Sequence, residues 1–287
     1  MDDRSRALGA PAMAAAAFLW SIAGLFIKII DWHPLTISGV RSLIAALVIL
    51  AWLKRPHLHW SFPQVAAAVS YAATMMLFVS ANKLTTSSNA IILQYVGPIF
   101  TAILGAWILK ERARAEHWVA FLCVAGGMAL MFMDKAGGGR LVGDLLAVLS
   151  ALAFSLTFIF MRMQKAGSSV ESMLLGHGIT AVVGLTASVF LPAPHLSVKA
   201  VLSVATLGIF QVGLAAILFA YALKHISAIT ANLIAVIEPV FNPIWVFLAL
   251  GEAPGARSIA GGVVILAAVT AASVINARRR QPPNSSS

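Results

Sequence analysis

Residues 77–111 read LFVSANKLTTSSNAIILQYVGPIFTAILGAWILKE, and residues 218–252 read LFAYALKHISAITANLIAVIEPVFNPIWVFLALGE. The two stretches lie 141 positions apart, align over 35 residues without a gap, and are identical at ten positions. Lysine, proline and glutamate are scarce in this chain, yet Lys83, Pro98 and Glu111 all recur at the matching positions. The match therefore indicates an internal duplication rather than a shared composition.

The composition of the whole chain indicates a membrane protein. Of the 287 residues, 60% are hydrophobic and 10% are charged, whereas soluble domains carry about 25% charged residues. Apolar runs long enough to cross ~30 Å of hydrocarbon as helices recur along the chain. They cover about residues 10–30, 34–53, 63–83, 87–109, 116–133, 143–163, 171–191, 200–223, 229–250 and 257–276. The sequence predicts an all-α, polytopic membrane protein with ten transmembrane helices.

The basic residues predict the orientation in the membrane, because cytoplasmic loops carry an excess of Lys and Arg. With the N-terminus inside, thirteen of the 20 Lys and Arg residues fall on the inner side. The seven on the outer side are Lys28, Arg41, Lys83, Lys135, Arg140, Lys199 and Arg257. Both termini are therefore predicted to be cytoplasmic. Five spans in each repeat is an odd number, so the second repeat enters from the opposite side and the two halves are inverted.

The repeats also predict the domain boundaries. The first five-helix repeat covers residues 1–136, a linker covers 137–142, the second repeat covers 143–278, and a disordered tail covers 279–287. The linker contains Gly137 to Gly139, but the Gly-Lys-Ser/Thr sequence of a phosphate-binding loop does not follow. We therefore expect no ATP and no other cofactor.

Other kinds of partner fit the sequence poorly. The net charge of +10 could attract nucleic acid, but the basic residues stand singly or in short clusters between apolar runs. Cys123 is the only cysteine, which excludes an intrachain disulfide and a cysteine-rich metal site. We expect no nucleic-acid partner and no metal. The expected partners are membrane lipid and a small-molecule substrate, and the protein is expected to be a monomer.

Two repeated motifs resemble those of a known transporter family. The first half has Ala90-x7-Pro98-x-Phe100 followed by Leu109-Lys110-Glu111-Arg112, and the second has Ala231-x6-Glu238-Pro239-x-Phe241 followed by Leu250-Gly251-Glu252. Together with the opening Phe18-Leu19-Trp20-Ser21-x2-Gly24, they resemble the EamA domain of the drug/metabolite transporter superfamily over residues 10–278. Within the superfamily the chain most resembles the YddG-type bacterial amino-acid exporters.

The resemblance implies a non-enzymatic function, the export of amino acids or related metabolites across the bacterial inner membrane. On this basis we predict a secondary transporter for aromatic and other neutral amino acids, with broad specificity and alternating access. An exporter of another metabolite or drug remains an alternative, as does a channel. A third alternative, an intramembrane enzyme acting on lipid-linked substrates, would need an acid/base or metal constellation, and the sequence shows none.

Glu238 is the only carboxylate well inside a predicted span, and an intramembrane ionisable residue is a functional candidate by default. It could bind a substrate amine or carry a coupling proton. Alternatively, it is a neutral acid, or it caps backbone opened by Pro239. His177 also lies within a span and is a second candidate for proton coupling, although a packed, neutral histidine is the more common situation. Gly97 occupies the matching position in the first half, so the acid is not duplicated.

Prolines in two repeat-related spans predict helix kinks near the substrate. A proline removes a backbone donor and frees the carbonyl four residues earlier, here those of Gln94 and Ala235. These carbonyls could face a substrate or water, or the kinks could be static. The predicted kink or hinge positions are Gly24, Pro98, Pro239 and Pro243.

Polar and aromatic residues in the apolar runs form the predicted cavity. Amides and phenols supply both donors and acceptors without net charge, as a zwitterionic solute needs. The alternatives are hydrogen bonds between helices for the polar residues and core or lipid contacts for the apolar ones. The predicted cavity residues are Trp20, Tyr71, Met75, Phe78, Asn82, Gln94, Tyr95, Tyr221, Asn232, Glu238 and Asn242.

Overall fold

A computed structural model describes residues 8–108, 115–133, 141–164, 169–226, 234–235 and 237–278, and these contain helices and no strand. The helices are α1 Gly9–Ser21, α2 Ala23–Ile29, α3 Pro34–Leu53, α4 Phe62–Leu84, α5 Ser87–Gln94, α6 Gly97–Ile108, α7 Ala115–Phe132, α8 Leu141–Met163, α9 Ser169–Ser188, α10 Val198–Thr206, α11 Ala215–His225, α12 Ile237–Leu250 and α13 Ala256–Arg278. A π-helical segment, Leu207–Leu214, joins α10 to α11.

Seven helical runs in the described residues are long and apolar enough to cross a membrane. They are Gly9–Ile29, Pro34–Leu53, Phe62–Leu84, Ser87–Ile108, Leu141–Met163, Ser169–Ser188 and Val198–Ala222. Three shorter apolar helices are Trp118–Leu130, Ile237–Leu250 and Ala256–Ala268. The all-helical, multi-pass membrane class is therefore confirmed, while ten spans in two inverted repeats stay a prediction.

Capping residues explain where the third and fourth predicted spans separate. α4 ends at Leu84, and Thr86 accepts a hydrogen bond from the Asn89 backbone N–H at the start of α5. A threonine at this position satisfies a free amide of the first turn. α8 begins at Leu141, inside the predicted linker 137–142, because its apolar run extends further back than we expected. The rest of that linker and the predicted tail 279–287 lie outside the described residues.

α3 and α9 cross at a pair of glycines. A Cβ atom added to Gly184 would lie 2.6 Å from Gly39 Cα, and one added to Gly39 would lie 2.8 Å from the Leu185 backbone nitrogen. Small residues allow helix backbones in membranes to approach this closely, where van der Waals contact drives association. The crossing places the inner faces of α3 and α9 beside α4, with which both helices pack.

The surface and the interior differ as expected for a helical bundle in lipid. Large apolar side chains such as Trp107, Leu122 and Phe190 are exposed on the outside. Arg41, which we counted among the charges of the outer side, is fully buried within α3 rather than exposed in a loop. The interior packing of Met75 and Gln211 against its guanidinium explains the difference.

Candidate functional site

Tyr95 lies at a break in one apolar helix and is hydrogen-bonded to Glu238. α5 ends at Gln94 and α6 begins at Gly97, so Tyr95 lies in the interruption. Its hydroxyl lies 2.7 Å from the Ala235 carbonyl oxygen and 3.0 Å from Glu238 Oε2. One phenol proton is thus shared between two acceptors, a backbone carbonyl and a carboxylate. The contact joins two predicted cavity residues from the two halves of the sequence.

The carbonyl of Ala235 is one that we expected Pro239 to free for a ligand. In this structure Tyr95 occupies it, so the freed carbonyl is part of the site and has a side-chain partner. The neighbouring Gln94 side chain donates from Nε2 to Ser150 Oγ at 2.8 Å, and Ser150 Oγ donates to the Thr74 carbonyl at 3.3 Å. Gln94 therefore links α5 to α8 and α4.

Asn242 is buried, and within the described part of the chain neither its Oδ1 nor its Nδ2 has a hydrogen-bond partner. It lies against Gly24, where an added Cβ would be 2.5 Å from Asn242 Oδ1 and 2.9 Å from Ser87 Cβ. Gly24 therefore permits close packing of α2 on α12, and its predicted hinge role stays untested. A buried amide without partners is rare enough to require an explanation, and a ligand is one such explanation.

Aromatic side chains pack between α1 and the helices α11 and α12, and the sequence analysis missed most of them. Trp20, a predicted cavity residue, packs on Phe219 with ring centroids 5.2 Å apart. Phe18 contacts both Phe241 and Trp245 edge-on, at 6.3 and 5.8 Å between centroids. The four-residue spacing of Phe241 and Trp245 places them on one helix face, which was a detectable pattern in the sequence.

His177 and Tyr71 form a separate buried pair between α9 and α4. The Tyr71 hydroxyl lies 3.2 Å from His177 Nε2, and His177 Nδ1 lies 3.3 Å from Ser42 Oγ. Both ring nitrogens thus have a hydroxyl partner, as the packed-histidine alternative requires. These bonds do not connect His177 to Glu238, so the two proton-coupling candidates lie in different hydrogen-bonded groups.

The remaining predicted residues are dispersed. Asn82 donates within α4 to the Phe78 carbonyl at 3.1 Å, and both side chains are buried. Tyr221 packs against His225 with ring centroids 4.2 Å apart. Asn232 lies outside the described residues, and only the backbone of Pro98 is described, near the start of α6. Pro239 lies in the first turn of α12, and Pro243 lies inside that helix.

Charged residues tie together one end of the bundle, which the sequence analysis did not anticipate. Lys28 Nζ lies 3.0 Å from Glu252 Oε2 and donates to the Thr85 carbonyl at 2.7 Å. The Ser87 backbone N–H donates to Glu252 Oε1 at 2.6 Å. We call Lys28, Thr85, Ser87 and Glu252 the Glu252 network. It joins the end of α2, the start of α5 and the loop after α12.

Asp144 extends this network to α8. Its Oδ1 accepts hydrogen bonds from Thr85 Oγ1 at 2.6 Å and from Asn89 Nδ2 at 3.0 Å. Lys83, near the end of α4, donates from Nζ to the carbonyl of Ile30, the residue that follows α2. Polar side chains from four helices are therefore hydrogen-bonded at this end of the bundle.

The model of the EamA-like transporter family matches residues 7–133 and again residues 141–274. The chain belongs to this family. The match covers the chain in two consecutive units, as the internal duplication predicts for an EamA-like protein. The described residues contain no group of three His, Cys, Asp or Glu side chains placed to hold a metal ion.

Several EamA-like relatives carry transporter names. The uncharacterized transporter YoaV of Bacillus subtilis is 21% identical, over 87% of this chain and 91% of its own. YcxC, another uncharacterized transporter of that species, is 27% identical over 88% of this chain and 89% of its own. Human solute carrier family 35 member G1 is 28% identical over 61% of this chain and 53% of its own. This chain is thus similar to membrane transporters.

A solved crystal structure has the same fold as this EamA-like chain. The similarity covers 96% of this chain and 99% of the other, with a TM-score of 0.67 and 20% sequence identity. At this identity the similarity concerns the arrangement of the helices and not the solute.

Replacing Glu252 by glutamine in this EamA-like chain is expected to loosen the packing at this end of the bundle. The variant loses the ion pair to Lys28, and hydrogen bonds to charged groups stabilise by about 1.5–3 kcal/mol. The measurement is maleimide labelling of a cysteine introduced at the buried Ser88 in purified Cys123→Ser protein. We expect labelling about tenfold faster with Glu252→Gln, since 1.4 kcal/mol corresponds to tenfold. Asp31→Asn, an exposed acid nearby, is the control and should not change the rate.

Proposed function

We propose that this chain is a secondary transporter that exports aromatic and other neutral amino acids across the bacterial inner membrane by alternating access. The EamA-like family supplies the general activity, transport of a small solute through the membrane. The choice of amino acids rests on the chemistry around Glu238.

The observation that carries the proposal is the shared proton of Tyr95. Its hydroxyl faces the Ala235 carbonyl and the Glu238 carboxylate, and one phenol proton cannot satisfy both acceptors. An ammonium group has three donors and no acceptor, so it matches the two oxygens and can replace the phenol. The amine of an amino acid is therefore a suitable ligand for this site.

The surroundings of the site support an apolar or aromatic side chain on the solute. Trp20, Phe18 and Trp245 supply flat apolar surfaces on α1 and α12. Aromatic rings favour edge-on and offset contacts that add about 0.5–1.5 kcal/mol beyond area burial. Asn242, on the same helix as Trp245, supplies a donor and an acceptor without a partner among the described residues. Together these groups fit a neutral amino acid better than a polycation, which would need several buried acids.

Alternating access is supported by a polar network at one end and by interrupted helices. The Glu252 network lies at the end that the distribution of basic residues predicts to be outside, with both termini in the cytoplasm. The first span is interrupted at Ile22 and the fourth at Tyr95, where the helix axis can bend with few hydrogen bonds lost. The described residues contain seven long and three shorter apolar helices, a number consistent with the proposed ten spans.

Uptake into proteoliposomes tests the proposal directly. Purified protein is reconstituted and offered labelled L-phenylalanine, L-leucine, L-lysine and L-glutamate, with protein-free liposomes as the control. We expect saturable, stereoselective uptake of the two neutral amino acids, which a channel would not show. Uptake of none of the four would contradict the amino-acid proposal while leaving membership of the EamA-like family intact.

A further inference from the structure

Arg41 is a buried cation without a compensating acid. It lies seven residues after the start of α3, with 1% of its surface exposed, and it is the largest fully buried side chain described. A charge inside a transmembrane bundle is costly and is normally paired. No described carboxylate forms a salt bridge with Arg41. The protein thus keeps a positive charge in its interior with no described negative charge against it.

The hydrogen bonds of Arg41 leave its donors poorly used. NH1 donates to Gln211 Oε1 at 3.4 Å, and NH2 faces the Met75 carbonyl at 3.3 Å and Met75 Sδ at 3.5 Å. Nε has no partner. A guanidinium has five N–H donors, and good N–H···O bonds are about 2.9–3.0 Å long. Within the described residues, three long contacts to neutral acceptors and an unpartnered Nε therefore leave the guanidinium incompletely hydrogen-bonded.

The helix that supplies Gln211 is wound differently from its neighbours at this point. Leu207–Leu214 forms two turns of π-helix, and Gln211 lies within them. π-Helical turns are rare and occur frequently at functional sites. An added Cβ at Gly208 would lie 2.5 Å from Ile44 Cβ and 2.9 Å from the Arg41 carbonyl oxygen, so the segment packs tightly on α3. This packing holds the Gln211 amide beside the guanidinium.

A polar path connects Arg41 with the Glu238 site. Arg41 bonds the carbonyl of Met75, and the adjacent Thr74 carbonyl accepts from Ser150 Oγ. Ser150 accepts from Gln94, the neighbour of Tyr95, which in turn bonds Glu238. A basic and an acidic side chain thus lie at the two ends of a series of polar groups that are hydrogen-bonded or adjacent in sequence.

We propose that Arg41 binds the carboxylate of the transported solute, with Gln211 and Met75 as its neighbours in the site. A guanidinium binds a carboxylate through two parallel hydrogen bonds, and the ligand would supply the missing negative charge. The inference rests on the proposed amino-acid transport for the identity of the solute. It assigns a residue that the sequence analysis counted only as a charge at a membrane face.

Binding measurements on the purified full chain with three related compounds test the inference. L-Phenylalanine carries both charges, L-phenylalaninamide lacks the carboxylate, and 3-phenylpropionate lacks the ammonium. We expect wild-type protein to bind phenylalanine about 30-fold more tightly than its amide, the size of a buried charge pair. In Arg41→Gln this ratio is expected to fall close to one, with the affinity for the amide nearly unchanged. An unchanged ratio, or equal losses for both compounds, would show a structural role and overturn the inference.

A second variant decides the question if Arg41→Gln does not fold. Gln211→Glu places a carboxylate where Oε1 now lies 3.4 Å from Arg41 NH1, so the protein itself would occupy the guanidinium. We expect about tenfold weaker binding of phenylalanine, consistent with a hydrogen bond to a charged group, and unchanged binding of phenylalaninamide. Wild-type affinity for phenylalanine in this variant would overturn the inference.

The third compound separates failure of this inference from failure of the proposed function. If phenylalanine does not bind to wild-type protein, amino-acid transport is contradicted. Binding of 3-phenylpropionate that is lost in Gln211→Glu would then still support a carboxylate site at Arg41. If wild-type protein binds neither phenylalanine nor 3-phenylpropionate, the inference is overturned as well.

Discussion

Glu238→Gln is expected to raise the KM for amino-acid transport about tenfold to a hundredfold. The variant keeps the shape of the side chain and loses the charge that we propose binds the substrate ammonium. Hydrogen bonds to charged groups contribute about 1.5–3 kcal/mol, and 1.4 kcal/mol corresponds to tenfold in affinity. The measurement is the initial rate of phenylalanine uptake into proteoliposomes over a range of substrate concentrations.

Two controls sharpen this experiment. Asp31→Asn also removes one carboxylate, but from an exposed position between α2 and α3, and its KM should match that of wild type. Repeating the assay with and without a pH gradient tests the coupling role of Glu238. If Glu238→Gln transports at the wild-type rate in both conditions, then neither amine binding nor proton coupling by Glu238 can be maintained.

Gly184→Ala is expected to destabilise the folded protein by about 1–3 kcal/mol, the usual cost of overpacking. The added methyl group would lie 2.6 Å from Gly39 Cα and from the Leu35 carbonyl oxygen. Both neighbours belong to the backbone of α3 and cannot move aside as a flexible side chain would. The measurement is the midpoint of thermal unfolding in detergent, which should fall by roughly 5 °C.

Gly178→Ala provides the matched control, because Gly178 is on the same helix. A Cβ added there meets nothing within 4 Å, and alanine favours a helix over glycine by about 0.5–1 kcal/mol. The control should therefore be as stable as wild type or slightly more so. Equal midpoints for the two variants would contradict the close α3–α9 crossing.

The sequence was sufficient to predict the class of fold, because long apolar helices can be recognised from the local composition of the chain. It also singled out Glu238, since one acid within an apolar run is conspicuous. The burial of Arg41 was not predicted for a related reason. Counting Lys and Arg by span ends treats every charge as a loop charge, and hydropathy alone cannot distinguish a charge near a membrane face from one buried between helices.

The partners of these residues could not be predicted from local patterns. Tyr95 and Glu238 are 143 positions apart, and Arg41 and Gln211 are 170 apart. Such pairs depend on how helices pack, which no periodicity within one helix reports. The π-helical turns at Gln211 were also invisible in the sequence, since Leu207–Leu214 has no proline to indicate an irregular helix.

Dissolved ions have limited access to the Lys28–Glu252 pair, since 19% and 24% of the two side chains are exposed. At physiological ionic strength, mobile ions screen exposed charges over about 8 Å, and partly covered pairs much less. Changes in the salinity of the surroundings should therefore have little effect on this ion pair.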